Sequence, residues 1–195
     1  MTVVGGVVPE GYDDYARIYH KIERQAPDQS WEPVRWADIA QERNIPIHPG
    51  MTYEEIAGSR DGAPRDHLQA DEYETLLPIL KQHTTTPDSI YVAIWNGRNT
   101  LDNHEPRVQL SFRDADYVLL HGTLDDSIQF LTGLWEEMYS NAPDVMWPED
   151  RAWVYGSDID SNDTCIAASQ ACIAAILAIP TLETLRTDLT DRVIW

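Results

Sequence analysis

The sequence predicts an α+β fold: a mainly antiparallel sheet with helices packed on it, including a buried apolar helix near the C-terminus. Two observations carry this. Runs rich in β-branched and aromatic residues at 90–95, 108–112 and 117–121 are separated only by short Gly, Asn and Asp clusters. Strands joined by such short connections pair as antiparallel neighbours. Helical periodicity is confined to other stretches, and segregated strands and helices indicate α+β rather than a doubly wound fold.

Residues 1–11 read as a loose lead-in of four Val and three Gly, and residues 1–195 as a single domain. Tyr15 to His20 reads as a strand from its β-branched and aromatic content. A loop is expected through Pro27, Asp28 and Pro33. Val34 to Arg43 reads as a helix with Trp36, Ile39 and Ala40 on one face. Residues 44–69 are loop-rich, but Thr52-Tyr53-Glu54-Glu55 is a capping-box pattern that starts a helical turn. Asp71 to Gln82 places Tyr73, Leu76, Leu77 and Leu80 at helix spacing. Pro78 sits inside that run, so the helix either kinks there or starts at Thr75.

After the three β-rich runs, Asp125 or Asp126 is positioned to cap a helix through Met138, with Ile128, Leu131, Trp135 and Met138 inward. Ala152 to Ser157 and Thr164 to Ala168 read as a hairpin. Ser169 then caps an almost wholly apolar helix, stopped by Pro180. A helix apolar on all sides is expected to be buried.

The chain has 195 residues, 33 acids and 14 bases, for a net charge of −19. With 43% hydrophobic residues it has enough apolar surface for a sizeable core. Only Lys21 and Lys81 are Lys; the other bases are Arg. Such a field repels phosphate backbones and anionic membrane surfaces, so the expectation is no nucleic acid and no membrane. No apolar run approaches the ~20 residues of a membrane span. Met1 to Val8 lacks the basic flank of a signal peptide. The expected location is cytoplasmic. Cys165 and Cys172 lie among Ile and Ala, and read as buried reduced thiols.

The acids concentrate between Asp125 and Asp163, where ten carboxylates meet one base, Arg151. Trp135, Trp147 and Trp153 lie among them. Aromatics rimmed by one charge sign anchor and steer an oppositely charged partner. Asp126, Glu136, Glu137, Trp147, Glu149 and Asp150 are therefore the candidate binding residues, and the expected partner is a basic protein. A second candidate is a pocket near His83, Thr85, Trp95 and His121, as an enzyme of unrecognised type would have. A third is the string Asp158 to Asp163, where Asp158, Asp160 and Asp163 offer oxygen ligands to a hard cation. The EF-hand template fails there, since its sixth and twelfth positions are Asp163 and Ser169. The string reads as a hairpin turn, and no metal is assigned. HExxH, GxSxG, Walker and GxGxxG motifs are absent, and no cofactor is implied.

Five strings stand out together. They are His83-Thr84-Thr85-Thr86-Pro87, Tyr91-Val92-Ala93-Ile94-Trp95-Asn96-Gly97, Tyr117-Val118-Leu119-Leu120-His121-Gly122, Trp147-Pro148-Glu149-Asp150-Arg151-Ala152-Trp153, and Ser157-Asp158-Ile159-Asp160 with Thr164. They resemble an uncharacterised family of bacterial proteins, found chiefly among high-GC Gram-positives, over residues 15–182. That resemblance carries no activity and no catalytic residues. The Trp, strand and Asp-Ile-Asp pattern with the following Ser-capped helix is more faintly similar to SUKH-type immunity proteins. These readings together suggest a non-catalytic protein-binding module with an acidic docking face, in the manner of an immunity or antitoxin protein.

Overall fold

The structure is a computed structural model that describes residues 2–59, 61–65, 67–98, 107–127, 143–158 and 160–193. The main sheet holds β1 (Asp14–Tyr19), β5 (Ile90–Trp95), β6 (Arg107–Gln109), β7 (Asp116–Gly122), β8 (Val145–Pro148), β9 (Trp153–Gly156), β10 (Asp163–Ala168) and β11 (Thr184–Arg186). Their order is β11-β1-β10-β9-β8-β5-β7-β6. Every pairing is antiparallel. The fold is α+β with a mainly antiparallel sheet, as the strand runs and short turns imply.

Both faces of the sheet are covered, which explains the apolar central strands. All six residues of β10 are buried. On one face, Ile90, Val92, Ile166 and Trp153 pack against two helices, α3 (Ala70–Gln82) and α4 (Gln170–Leu177). α3 starts at a Gln69–Glu72 capping box and continues past Pro78, which faces solvent. Its buried stripe is Tyr73, Leu76, Leu77 and Leu80, and the indole of Trp153 donates to the Leu80 carbonyl at 2.9 Å. In α4, the Ser169 hydroxyl accepts from the Cys172 N–H at 3.3 Å. Cys172, Ile173 and Ile176 are buried, while Ala171 and Ala174 are exposed. Burial of α4 therefore follows one face rather than the whole circumference. Each large side chain on that face contributes roughly 1.5–3 kcal/mol.

The other face is covered by a layer that sequence periodicity does not reveal. Residues 1–11 are not a loose lead-in. Val4, Val7 and Val8 are buried against Ala93, Val154, Cys165 and Ala167 of the sheet. The N–H groups of Val4 and Gly5 bond the carbonyls of Asp191 and Leu189 at 3.0 Å. The segment passes so close to β9 that a Cβ on Gly156 would stand 2.4 Å from the Val7 carbonyl oxygen. Leu110 and Phe112, between β6 and β7, complete this outer layer.

A second sheet, β3-β2-β4, joins β2 (Ile22–Gln25), β3 (Trp31–Val34) and β4 (Asp61–Pro64) where loops are expected from the sequence. Pro33 is accommodated because β3 is an edge strand. Helices α1 (Trp36–Glu42) and α2 (Tyr53–Ile56) pack beside it, with Trp36, Ile39, Ala40, Met51 and Ile56 buried. The Thr52 capping box is present as read. β8 is a further strand absent from the sequence reading. Residues 124–127 are helical, capped by Thr123 rather than by Asp125 or Asp126. The Thr123 N–H bonds Asp126 at 2.9 Å, and the Asp126 N–H bonds the Thr123 hydroxyl at 3.1 Å. No helix among the described residues is long and apolar enough to cross a membrane.

Candidate functional site: an acidic end of the sheet

Five segments converge where β5 begins and β7 and β8 end. α3 stops at His83, and Thr84-Thr85-Thr86-Pro87 carries the chain to β5. The turn after β8 is fastened to that stretch. Asp150 accepts from the Thr84 hydroxyl at 2.8 Å, and from both the N–H and the hydroxyl of Thr85 at 2.7 Å. Partial burial pushes the Asp150 carboxyl up, but these donors outweigh it and bring it down to about 2. The Glu149 N–H bonds the Ser89 carbonyl at 2.9 Å. The Leu124 N–H bonds the Pro87 carbonyl at 2.9 Å, and Lys81 pairs with Asp125 at 2.8 Å. The Asp125 carboxylate raises the Lys81 ammonium, chiefly through that bond. The Thr123 N–H and hydroxyl lower the carboxyl of Asp126.

These tethers place Asp88, Asp125, Asp126, Glu149 and Asp150 at one end of the sheet, with Lys81 among them. An aromatic ladder runs beside the acids. His121, Tyr91 and Trp147 sit directly opposite one another on β7, β5 and β8. The Tyr91 and Trp147 rings stack with centroids 5.6 Å apart and planes at 17°. The His121 ring lies 4.7 Å from Tyr91, and its Nε2 is 2.9 Å from the Ser89 hydroxyl. Trp147 is half-buried and His121 exposed.

Asp126, Trp147, Glu149, Asp150, His83, Thr85 and His121, drawn from two separate candidate sets, thus meet in one place. Trp95 does not join them. It lies at the opposite end of β5, across from Tyr117, roughly 13 Å along the strand from Tyr91. Its N–H is held by Asp144 at 2.6 Å. Glu136 and Glu137, like Ile128, Leu131, Trp135 and Met138, lie outside the described residues. Tyr91 and Ser89 escaped the sequence reading. The available signal was the period-2 spacing that places Tyr91 on the same face as Ala93.

The comparison with known proteins adds no relative. No protein family, curated protein or solved structure matches the chain.

The third candidate set is not brought together. Asp163 is fully buried and committed to Arg17, whose Nη2 lies 2.5 Å away and whose Nε donates at 2.8 Å. The Arg17 Nη1 donates to the carbonyls of Pro49 and Met51 at 2.7 and 2.9 Å, and the guanidinium lies 4.5 Å over the Tyr19 ring. Burial pulls the Arg17 guanidinium down, and the Asp163 carboxylate more than restores it. Asp158 holds the Asp160 N–H at 3.1 Å, as an Asx turn does. Among the described residues, no three His, Cys, Asp or Glu side chains stand together to hold a metal. The buried His20 is also bonded internally. His20 bridges the Arg65 carbonyl at 2.8 Å and the Thr164 hydroxyl at 2.9 Å. Both cysteines are buried and free. Desolvation pushes the Cys172 thiol up to about 11 and raises Cys165 as well.

Proposed function

We propose that this chain is a non-catalytic binding protein whose acidic sheet end docks a basic protein, in the manner of an immunity or antitoxin protein. The observation that carries this reading is the convergence of five carboxylates beside the His121–Tyr91–Trp147 ladder. A half-buried Trp already stacked on a neighbour loses little side-chain entropy on docking, which suits an anchor. Carboxylates held by uncharged donors, as Asp126 and Asp150 are, stay ionised, and Asp126, with one donor among the described residues, still presents free lone pairs. Their charge steers a cationic partner into register.

The test starts from a partner captured with the native chain as bait. Trp147→Ala should weaken that complex by on the order of tenfold or more, and rising salt should slow its association. An unchanged affinity for Trp147→Ala together with a salt-independent association rate would contradict the reading.

One observation favours an enzyme instead: the Ser89 hydroxyl and the His121 imidazole are 2.9 Å apart. That is the spacing of a nucleophile and its base. Among the described residues, no carboxylate orients the other ring nitrogen of His121. A fluorophosphonate probe separates the two readings. Labelling of Ser89 that disappears in His121→Gln would support the enzyme, and an unlabelled chain would support the binder.

A further inference from the structure

The outer layer leaves a cavity of about 480 Å³ between the N-terminal segment, the β6–β7 loop and the sheet. Its lining is mainly apolar, with Val108, Leu110, Phe112, Trp147 and Val154 around it and Tyr12 on one side. The volume lies within the ordinary range for small-molecule sites. Arg151 lines this cavity and a shallower neighbouring hollow of about 420 Å³ bounded by Gly11, Tyr12 and Ser169.

Among the described residues, Arg151 and Arg192 stand apart from the other bases. Arg17, Arg24, Arg35, Arg43, Arg65, Arg113 and Arg186 each pair with a carboxylate, as do Lys21 and Lys81. The Arg151 guanidinium has no hydrogen bond or ion pair with any described residue, in a protein with 33 acids for 14 bases. Its backbone is held in the left-handed region, at φ 53°. That conformation costs roughly 1–3 kcal/mol in a non-Gly residue. Two bonds hold it there: the Arg151 N–H to the Pro148 carbonyl at 2.9 Å, and the Tyr12 hydroxyl to the Arg151 carbonyl at 3.0 Å. An exposed guanidinium without a partner among the described residues, carried beside an apolar cavity on a backbone held by two bonds, offers bidentate recognition of a carboxylate.

We propose that this cavity binds a small monocarboxylate with an apolar body, its carboxylate on Arg151 and its body against Phe112, Trp147 and Val154. Glu10, exposed and also in the lining, disfavours a ligand with a second negative end. The cavity shares Trp147 with the docking surface, but its ligand is read on the chain alone, so either proposal can fail without the other.

The experiment is calorimetric titration of the full chain with octanoate, with octan-1-ol as the uncharged isostere. Octanoate should bind at one saturable site, about tenfold or more tighter than the alcohol, the difference that one charge-assisted pair supplies. Arg151→Asn suits the left-handed backbone and removes the charge. It should bring octanoate down to the level of the alcohol and leave alcohol binding unchanged, whereas Arg151→Lys should keep part of the preference. Equal binding of octanoate and octanol by the native chain, no saturable octanoate binding, or an Arg151→Asn variant that binds octanoate as the native chain does would each overturn the proposal. If Arg151→Asn fails to fold, the native comparison of acid and alcohol still decides.

Discussion

At the seam between β1 and β10, Asp163 faces Arg17 with both side chains wholly out of solvent. At the end of β8, Asp150 sits exposed and is held by Thr84 and Thr85, which carry no charge. Both carboxylates belong to the same acid-rich stretch of sequence. In the first region the charge is neutralised on the spot and pins β1, β10 and the Pro49–Met51 loop together. In the second it is anchored but not cancelled, so it remains part of the field that an approaching molecule meets. Charge counted along a sequence does not separate these cases, and the identity of the donors does.

The two regions differ most visibly when their charges are removed one at a time. Asp163→Asn leaves Arg17 buried without a counter-charge and should cost about 3–5 kcal/mol in urea or thermal unfolding. Asp150→Asn loses donors that water can replace and should cost on the order of 1 kcal/mol. Similar costs for the two variants would erase the distinction.

pH sharpens the same contrast. The Asp150 carboxyl is brought from its ordinary 3.8 down to about 2 in the folded protein. A depressed folded value means that its stabilisation is complete above about pH 4 and is lost as pH falls towards 2. Unfolding followed between pH 5 and 2 should therefore show an acid-dependent loss that is smaller in Asp150→Asn. An identical pH profile in the variant would assign that loss elsewhere.

The smallest effect is expected at the Asp158–Asp163 turn. Titration with Ca²⁺ should show no site tighter than about millimolar, because Arg17 has taken Asp163 and too few oxygens remain. A stoichiometric micromolar site would require Asp163 to leave its buried partner.

What could be read in the sequence was local. The Thr52 and Ser169 caps, the Trp36–Ile39–Ala40 face, the α3 stripe and the β5, β7, β9 and β10 strands all follow from spacing within one segment. The missed elements depend on partners far along the chain. β4 is Asp-Gly-Ala-Pro, with no strand propensity, and it exists because Asp61 binds Arg24 and Arg43. β8 is only four residues long and ends in Pro148, so its pattern resembles a loop. Val4, Val7 and Val8 carry no period, and the outer face of the sheet buries them. The site behaves likewise. Trp147, Asp150, Thr85 and His121 were conspicuous by type, but bonds spanning 65 residues join Thr85 to Asp150, and β5 stands between His121 and Trp147. Trp95 failed for the converse reason, since a strand can place two residues on one face and still hold them at opposite ends.

The charge at the sheet end acts either as a site or as part of a general acidic surface. Two triple variants, each raising the net charge by three units, decide this. One is Asp88→Asn, Asp125→Asn and Glu149→Gln at the sheet end. The other is Glu32→Gln, Glu54→Gln and Glu74→Gln, exposed positions on β3, α2 and α3. The association rate of the captured basic partner is then measured for both at about 0.05 M salt, where screening is weak. The sheet-end triple should slow association several-fold more than the remote triple. Equal rates for the two would contradict the assignment and return the acids to the role of a solvated surface.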